Sequence, residues 1–218
     1  MRKFVLFAAL AAGTITGAAA QKPIEFGARA GLNFDSQKQS RSNESETSDS
    51  KLGFHLGVVA DIPLANLASS LPSWFYFQPG LYFTTKGGKE SSSWQGMSST
   101  STASLYYLEL PLRASVKYPL AGSFCVRAHV GPSVGFAVSG KSKTELTQGG
   151  KTQSNEGDYF ENDDVSRFHF GLDFGAGVEY KQLHLGVGYD LGLSNMYTGD
   201  GDLSIKNRTL GVSLGYNF

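Results

Sequence analysis

Cysteine occurs once in 218 residues, at Cys125, so the disulfide framework that braces many small exported domains is excluded. Proline is scarce, at seven residues, and no segment sustains a helical hydrophobic period. Past the N-terminal run there is no long apolar stretch. A helical span needs roughly 20 predominantly apolar residues, so a helical membrane protein is excluded. A barrel is not, because its strands alternate and leave little trace in hydropathy. Neither sign of charge is in excess, with 19 Lys and Arg against 19 Asp and Glu, and without a basic surface nucleic acid is not an expected partner. No lipase-type nucleophile elbow, metal-spaced His/Cys cluster or phosphate loop is expected, so no catalytic, metal or cofactor residue is assigned and the chain reads as a non-enzyme. Ser166 and His169 could sit together at a rim, but two common residue types do not make a hydrolase site. Cys125 reads as a small interior filler.

What the chain has in quantity is glycine and aromatics, with 27 Gly, 15 Phe and 10 Tyr. Residues 1–20 form a unit of their own. Arg2 and Lys3 precede an apolar run from Phe4 to Leu10, and small residues follow to Ala18-Ala19-Ala20 before Gln21. That layout is a secretory signal, expected to be cleaved after Ala20. Residues 21–218 are then the mature domain, bound for the outer membrane.

Eight segments of that domain alternate with the period of two that marks a strand. They run over 24–34, 52–62, 74–85, 105–118, 123–139, 168–180, 183–193 and 207–218. In each, one face is apolar and nearly free of charge, which suits lipid. The other is rich in glycine with sparse charges of both signs, which suits a narrow interior. Each is long enough to cross a bilayer as a tilted strand of about 9–11 residues. The last runs Leu210, Val212, Leu214, Tyr216, Phe218 on one face, and Tyr216 and Phe218 are expected to be read by the barrel-assembly machinery. Pro79, Pro111 and Pro132 fall inside strands, where proline removes a ladder donor, and are expected at bulges or breaks near a rim.

The joins alternate in length. Residues 35–51, 86–104, 140–164 and 194–206 are long and polar, whereas 63–73, 119–122 and 181–182 are shorter. Outer-membrane barrels have short periplasmic turns and longer extracellular loops, so both termini are expected in the periplasm and all four long loops outside. Aromatics fall where headgroup girdles would lie: Trp74, Phe75, Tyr118, Phe124, Tyr180, Tyr216 and Phe218 below, and Phe34, Phe54, Phe83, Tyr106, Phe136 and Phe168 above. The expected fold is all-β, an eight-stranded antiparallel up-and-down transmembrane β-barrel with a filled interior.

Several motifs carry a family resemblance: Gly27-Ala28-Arg29-Ala30-Gly31-Leu32-Asn33, Gly53-Phe54-His55-Leu56-Gly57, Phe77-Gln78-Pro79-Gly80-Leu81-Tyr82, Tyr107-Leu108-Glu109-Leu110-Pro111-Leu112 and Gly192-Leu193-Ser194-Asn195. With them the chain resembles the PorT-like outer-membrane β-barrel proteins of Bacteroidetes, a porin family by name. The resemblance covers essentially the whole mature chain. It implies a small OmpX-like barrel and no particular activity.

Eight strands enclose only enough room for side chains. The expected interior ionic network comprises Glu25, Arg29, Asp61, Glu109, Arg113, Lys117, Arg127, Asp173, Glu179, His184 and Asp190, with His55, His129 and His169 beside it. A two-residue turn at Lys181-Gln182 sets Glu179 opposite His184 and Asp173 opposite Asp190. An arginine, Arg29, Arg113 or Arg127, is expected to reach across and neutralise that carboxylate pair. If none does, two carboxylates that share a proton are the chemistry of aspartic catalysis.

The function expected is a structural or surface-interaction role through the polar loops. Alternatives are a small passive pore, an accessory subunit of an outer-membrane secretion or assembly complex, and a soluble lipid-carrying barrel in the periplasm. Expected partners are outer-membrane lipid, the assembly machinery, and an unidentified surface or secretion partner.

Overall fold

The computed structural model describes residues 22–41, 44–94, 96–161, 164–199 and 201–218. The secretory signal lies outside the described residues. Ten strands follow in order: β1 Glu25–Arg41, β2 Glu44–Thr47, β3 Lys51–Pro63, β4 Phe75–Trp94, β5 Met97–Pro119, β6 Phe124–Gln148, β7 Lys151–Asp158, β8 Phe168–Tyr180, β9 Leu183–Gly192 and β10 Leu203–Asn217. Eight of them, β1, β3, β4, β5, β6, β8, β9 and β10, pair as antiparallel neighbours, and β10 returns to pair with β1, so the sheet closes on itself. Closure leaves the ring without an edge, which is what a sheet in lipid requires. This is the eight-stranded barrel expected from the alternation. β2 and β7 lie off the ring, on β1 and β6.

The alternation sorts the two faces as expected. Phe26, Leu32, Phe34, Leu56, Val58, Leu81, Val130, Phe174, Leu185 and Leu214 point outward and are exposed. Arg29, Asp61, Gln78, Arg127, His169 and Glu179 point inward and are buried. A soluble protein would leave so wide an apolar surface to no purpose; here it is the lipid contact. Aromatic pairs mark its two borders. Trp74 stacks on Phe75 at 4.3 Å and meets Tyr118 at 6.0 Å, and Phe124 meets Tyr180 at 4.5 Å. At the other border Phe54, Phe83 and Tyr106 form a row with spacings of 6.0 and 6.1 Å.

Two expectations need correction. Three of the four long polar joins, 35–51, 86–104 and 140–164, are largely strand. β4 and β5 continue as a paired hairpin through Trp94 and Met97, and β6 extends to Gln148, where it turns back as β7. From Lys86 to Trp94, at about 3.3 Å per residue, the extension rises roughly 25 Å. Hydrophobic alternation reports a strand only while one face meets lipid or core. Above the membrane both faces meet water, so the Ser/Thr-rich sequence loses its period while the backbone keeps its ladder.

The prolines neither bulge nor break the strands. Pro79, Pro111 and Pro132 lie within continuous β4, β5 and β6, and the register is the same on both sides of each: Val59↔Gly80 and Ile62↔Phe77, Pro79↔Leu112 and Tyr82↔Glu109, Pro111↔Ser133 and Ala114↔Val130. Each costs two rungs of a ladder that its neighbours hold in place. The β5–β6 register shift is elsewhere, between Tyr106 and Tyr107.

Candidate functional site

Polar side chains converge in the barrel interior, and the structure layers them. The lowest layer centres on Glu179. Its carboxylate accepts from Arg127 at 2.6 Å and from Asn217 at 3.1 Å, and lies 3.0 Å from Lys117 and 3.8 Å from Arg29. The Arg127 guanidinium continues to Asp61 at 2.5 Å, where Gln78 also donates at 2.7 Å. Lys117 extends the layer to Glu25 at 2.6 Å, at the half-exposed mouth. His184 sits 3.5 Å from Glu179, in the register set by the Lys181-Gln182 turn.

The middle layer is an Arg113–Asp173 pair with two bonds, 2.6 and 3.1 Å. This fork-to-carboxylate geometry is the strong form of an ion pair. Arg113 also donates to the Tyr82 hydroxyl at 3.2 Å, and His129 lies 3.2 Å from Asp173.

In the upper layer the Lys86 ammonium lies 2.7 Å from Asp190 and 3.0 Å from Glu109. His169 is 2.8 Å from Asp190, and the Ser133 hydroxyl donates to it at 2.5 Å. Asp173 and Asp190 are direct register partners, as the turn implied. An arginine meets the first, but a lysine meets the second. Two facing carboxylates that each hold their own cation have no proton to share, which removes the basis for aspartic chemistry.

Lys86 is the residue that sequence reasoning misplaced, in a loop. The available signal was parity, because 76, 78, 80, 82 and 84 lie on the inward face and 86 is the next step. Asp35 was missed for the same reason: it continues the inward series of β1 and is buried between Thr85 at 3.1 Å and Thr209 at 2.8 Å. Lys86 also decides a question of metal binding. Glu109, His169 and Asp190 bring their ligand atoms within 4.8 Å of one another. The ammonium lies between the two carboxylates, where a cation would otherwise be held.

The pattern Gly-x-Ser-x-Gly does occur, against expectation, at Gly131–Gly135 and at Gly211–Gly215. Both copies lie inside strands, β6 and β10, rather than on the strand-to-helix turn that thrusts a nucleophile forward. Ser133 donates to a carboxylate and not to an imidazole. Ser213 is the more suggestive: its Oγ lies 2.6 Å from His55 Nε2, and His55 Nδ1 lies 2.7 Å from Asn33 Oδ1. The Asn33 amide is held by Phe54 and Thr85 carbonyls and the Thr84 hydroxyl, which turns its oxygen to the ring. This is the order of a nucleophile, a base and an orienting group. It faces a lumen cavity of about 90 Å³ bounded by Tyr82, Pro111, Gly188 and Gly211. At roughly 10–15 Å³ for one water, that space suits a few waters rather than an acyl substrate.

Above the charged layers the lumen closes on apolar side chains. Leu105, Tyr107, Ala137 and Met196 are fully buried together, with Tyr159, Phe160, Val165 and Ile205 packed against them. Met196 and Val165 come from the segments after β9 and β7, so connections outside the ring supply half the cap. Burial there pushes the Tyr159 phenol above its ordinary range, partly offset by a hydrogen bond with Gln37. Outside the cap, the β1–β2 and β4–β5 hairpins flank a groove of about 370 Å³ lined by Glu46, Ser48, Asp49, Glu90, Ser91 and Ser99. Gln39 donates to Glu90 across it.

Comparison with known proteins agrees with this architecture. A family model described as outer membrane protein beta-barrel domain matches residues 19–198. The chain belongs to that family and to the outer membrane. No curated protein matches it in sequence. Among solved structures it is similar to a major outer membrane protein from Thermus thermophilus, with 16% identity and a TM-score of 0.45. It is likewise similar to Neisserial surface protein A, with 15% and 0.43. A third is Ail, the attachment invasion locus protein of Yersinia pestis, in complex with the heparin analogue sucrose octasulfate, with 11% and 0.40. Each similarity covers 90% of this chain and 100% of the other.

Proposed function

We propose that this outer-membrane barrel is a closed scaffold that holds a β-sheet above the cell surface for contact with other molecules, without conducting solutes and without catalysis. The observation that carries the reading is the pairing of a lumen filled by side chains with strands that run on past it. Three cross-linked charged layers and an apolar cap fill the interior, while β4, β5, β6 and β7 continue as one hydrogen-bonded sheet. A passive pore would need an open path of water through the layers now held by Arg127, Arg113 and Lys86. The quoted motifs support a kinship with the PorT-like barrels, and an accessory role in a secretion complex is the same scaffold with a protein partner.

Two measurements test this. The refolded mature chain, shown to be folded, is expected to be silent in a planar bilayer; stable discrete openings would overturn the closed-scaffold reading. On intact cells, added trypsin is expected to cut at Lys89, Lys141 or Lys151 and to leave the barrel core whole. Complete protection of these sites in cells without a surface polysaccharide would overturn the surface placement.

A further inference from the structure

On the outward face of the β1–β10 seam, immediately above the last apolar residues Phe34 and Leu210, lie three cations. Lys38 is the direct cross-strand partner of Lys206, and Arg208 is the partner of Ser36, one outward row closer to the membrane. Gln37 and Asn207, the alternate residues, are buried and hydrogen-bonded to each other at 3.2 Å in the lumen. The period of two therefore sends Lys38, Lys206 and Arg208 to the outside. Like charges directly opposite on a sheet destabilise it, and among the described residues none of the three has a carboxylate within ion-pair distance. The other side chains of this outward face are hydroxyls, Ser36, Ser40 and Ser204 on the seam and Ser45 and Thr47 on β2. Asp35, three residues before Lys38, is buried in the lumen, and Asp202, which precedes β10 by one residue, stands roughly 13 Å along the strand direction from Lys206.

The opposite side of the barrel is built differently. There the outward cation Lys143 meets Glu145 at 2.9 Å and Glu156 at 4.0 Å. The seam is thus a cluster that has no counter-charge among the described residues, at a defined height. From Phe34 to Lys38 is four residues, about 10 Å of rise on a tilted strand. That places the ammonium groups at the headgroup level of the outer leaflet.

We propose that Lys38, Lys206 and Arg208 form a clamp for the phosphate of an anionic lipid in the outer leaflet. The apolar residues beneath, Phe34, Leu210 and Leu32, take the acyl chains, the two lysines bridge one phosphate, and the Arg208 fork supplies paired N–H donors from below. The hydroxyls of Ser36 and Ser204 suit the sugar or phosphate oxygens of such a headgroup. The barrel is then fixed to its lipid on one side, so the surface sheet points in a set direction.

The test uses the folded mature chain and native mass spectrometry, with bis-phosphorylated lipid A, its dephosphorylated form and inorganic phosphate as probes. K38Q/K206Q/R208Q is compared with K89Q/K141Q/K143Q, which removes the same charge from the other side. The seam variant is expected to weaken lipid A binding at least tenfold and the control less than twofold, and dephosphorylated lipid should bind wild type as weakly as it binds the seam variant. Equal losses in both variants would reduce the effect to bulk charge and overturn the clamp. Displacement of lipid A by equimolar inorganic phosphate would overturn it in favour of a free-anion site. Should the triple variant not fold, K38Q and R208Q alone are each expected to weaken binding two- to fivefold, and unchanged binding in both would equally overturn the proposal.

Discussion

Lys86 Nζ lies 2.7 Å from Asp190 Oδ1, joining β4 to β9 through the lumen, and neither residue has appreciable solvent contact. In an eight-stranded barrel those strands are not neighbours, so this pair is a tie across the ring rather than along it. The same ammonium holds Glu109 of β5 at 3.0 Å.

Removing Lys86 leaves two carboxylates buried without their cation. K86M is expected to destabilise the folded barrel by about 3–5 kcal/mol, the usual cost of orphaning a buried charge. Reversible urea unfolding in bilayers measures it. K86M/E109Q/D190N should recover more than half of the loss, since the neutral trio has no charge to compensate.

Glu179 and Glu25 share Lys117 but not its surroundings. Glu179 is enclosed by Arg127, Arg29, Asn217 and Lys117, whereas the Glu25 side chain is 38% exposed at the mouth. E179Q is expected to cost about 3–5 kcal/mol and E25Q no more than about 1 kcal/mol, in the same unfolding assay. Equal costs would mean that the lower layer is wet throughout.

Phe218 is 77% exposed, and its N–H bonds to the Phe26 carbonyl at 2.8 Å. A backbone bond survives a change of side chain. F218A is therefore expected to leave the stability of refolded protein nearly unchanged while lowering the amount assembled in cells several-fold, as a role in recognition by the assembly machinery requires. Pulse-labelling with outer-membrane fractionation reads assembly apart from stability.

Ser213, His55 and Asn33 have the order of a catalytic relay but only a small cavity in front of them. The folded protein is expected to resist a fluorophosphonate probe, with labelling at Ser213 below a few per cent of protein. Stoichiometric labelling, lost in both S213A and H55Q, would instead establish a nucleophile and reverse the non-catalytic reading.

Much of this was legible beforehand, for one reason. A transmembrane strand has lipid on one side and a crowded polar lumen on the other, so the period of two is written into the side chains from Phe26 to Phe34 or Leu183 to Leu191. The same parity placed Arg29, Asp61, Arg127 and Glu179 inside. It ended early at Thr84 and Asn33 because the outward residues that follow, beyond Phe83 and Phe34, are no longer apolar. Lys86 and Asp35 lay one step past the end of the signal.

The sequence by itself determined the eight membrane-spanning strands, their faces, the turn-set pairing of Asp173 with Asp190 and the membrane as solvent. These are local properties, fixed by alternation and by turn length. Which cation meets which carboxylate was decided only by closure of the ring. Shear and strand tilt carry Lys86 to Asp190 and Arg127 to Asp61 from strands that do not adjoin in either case. The cap had the same origin: Met196 and Phe160 carry no period of their own, and only the closed barrel end gave them Tyr107 and Leu105 to cover.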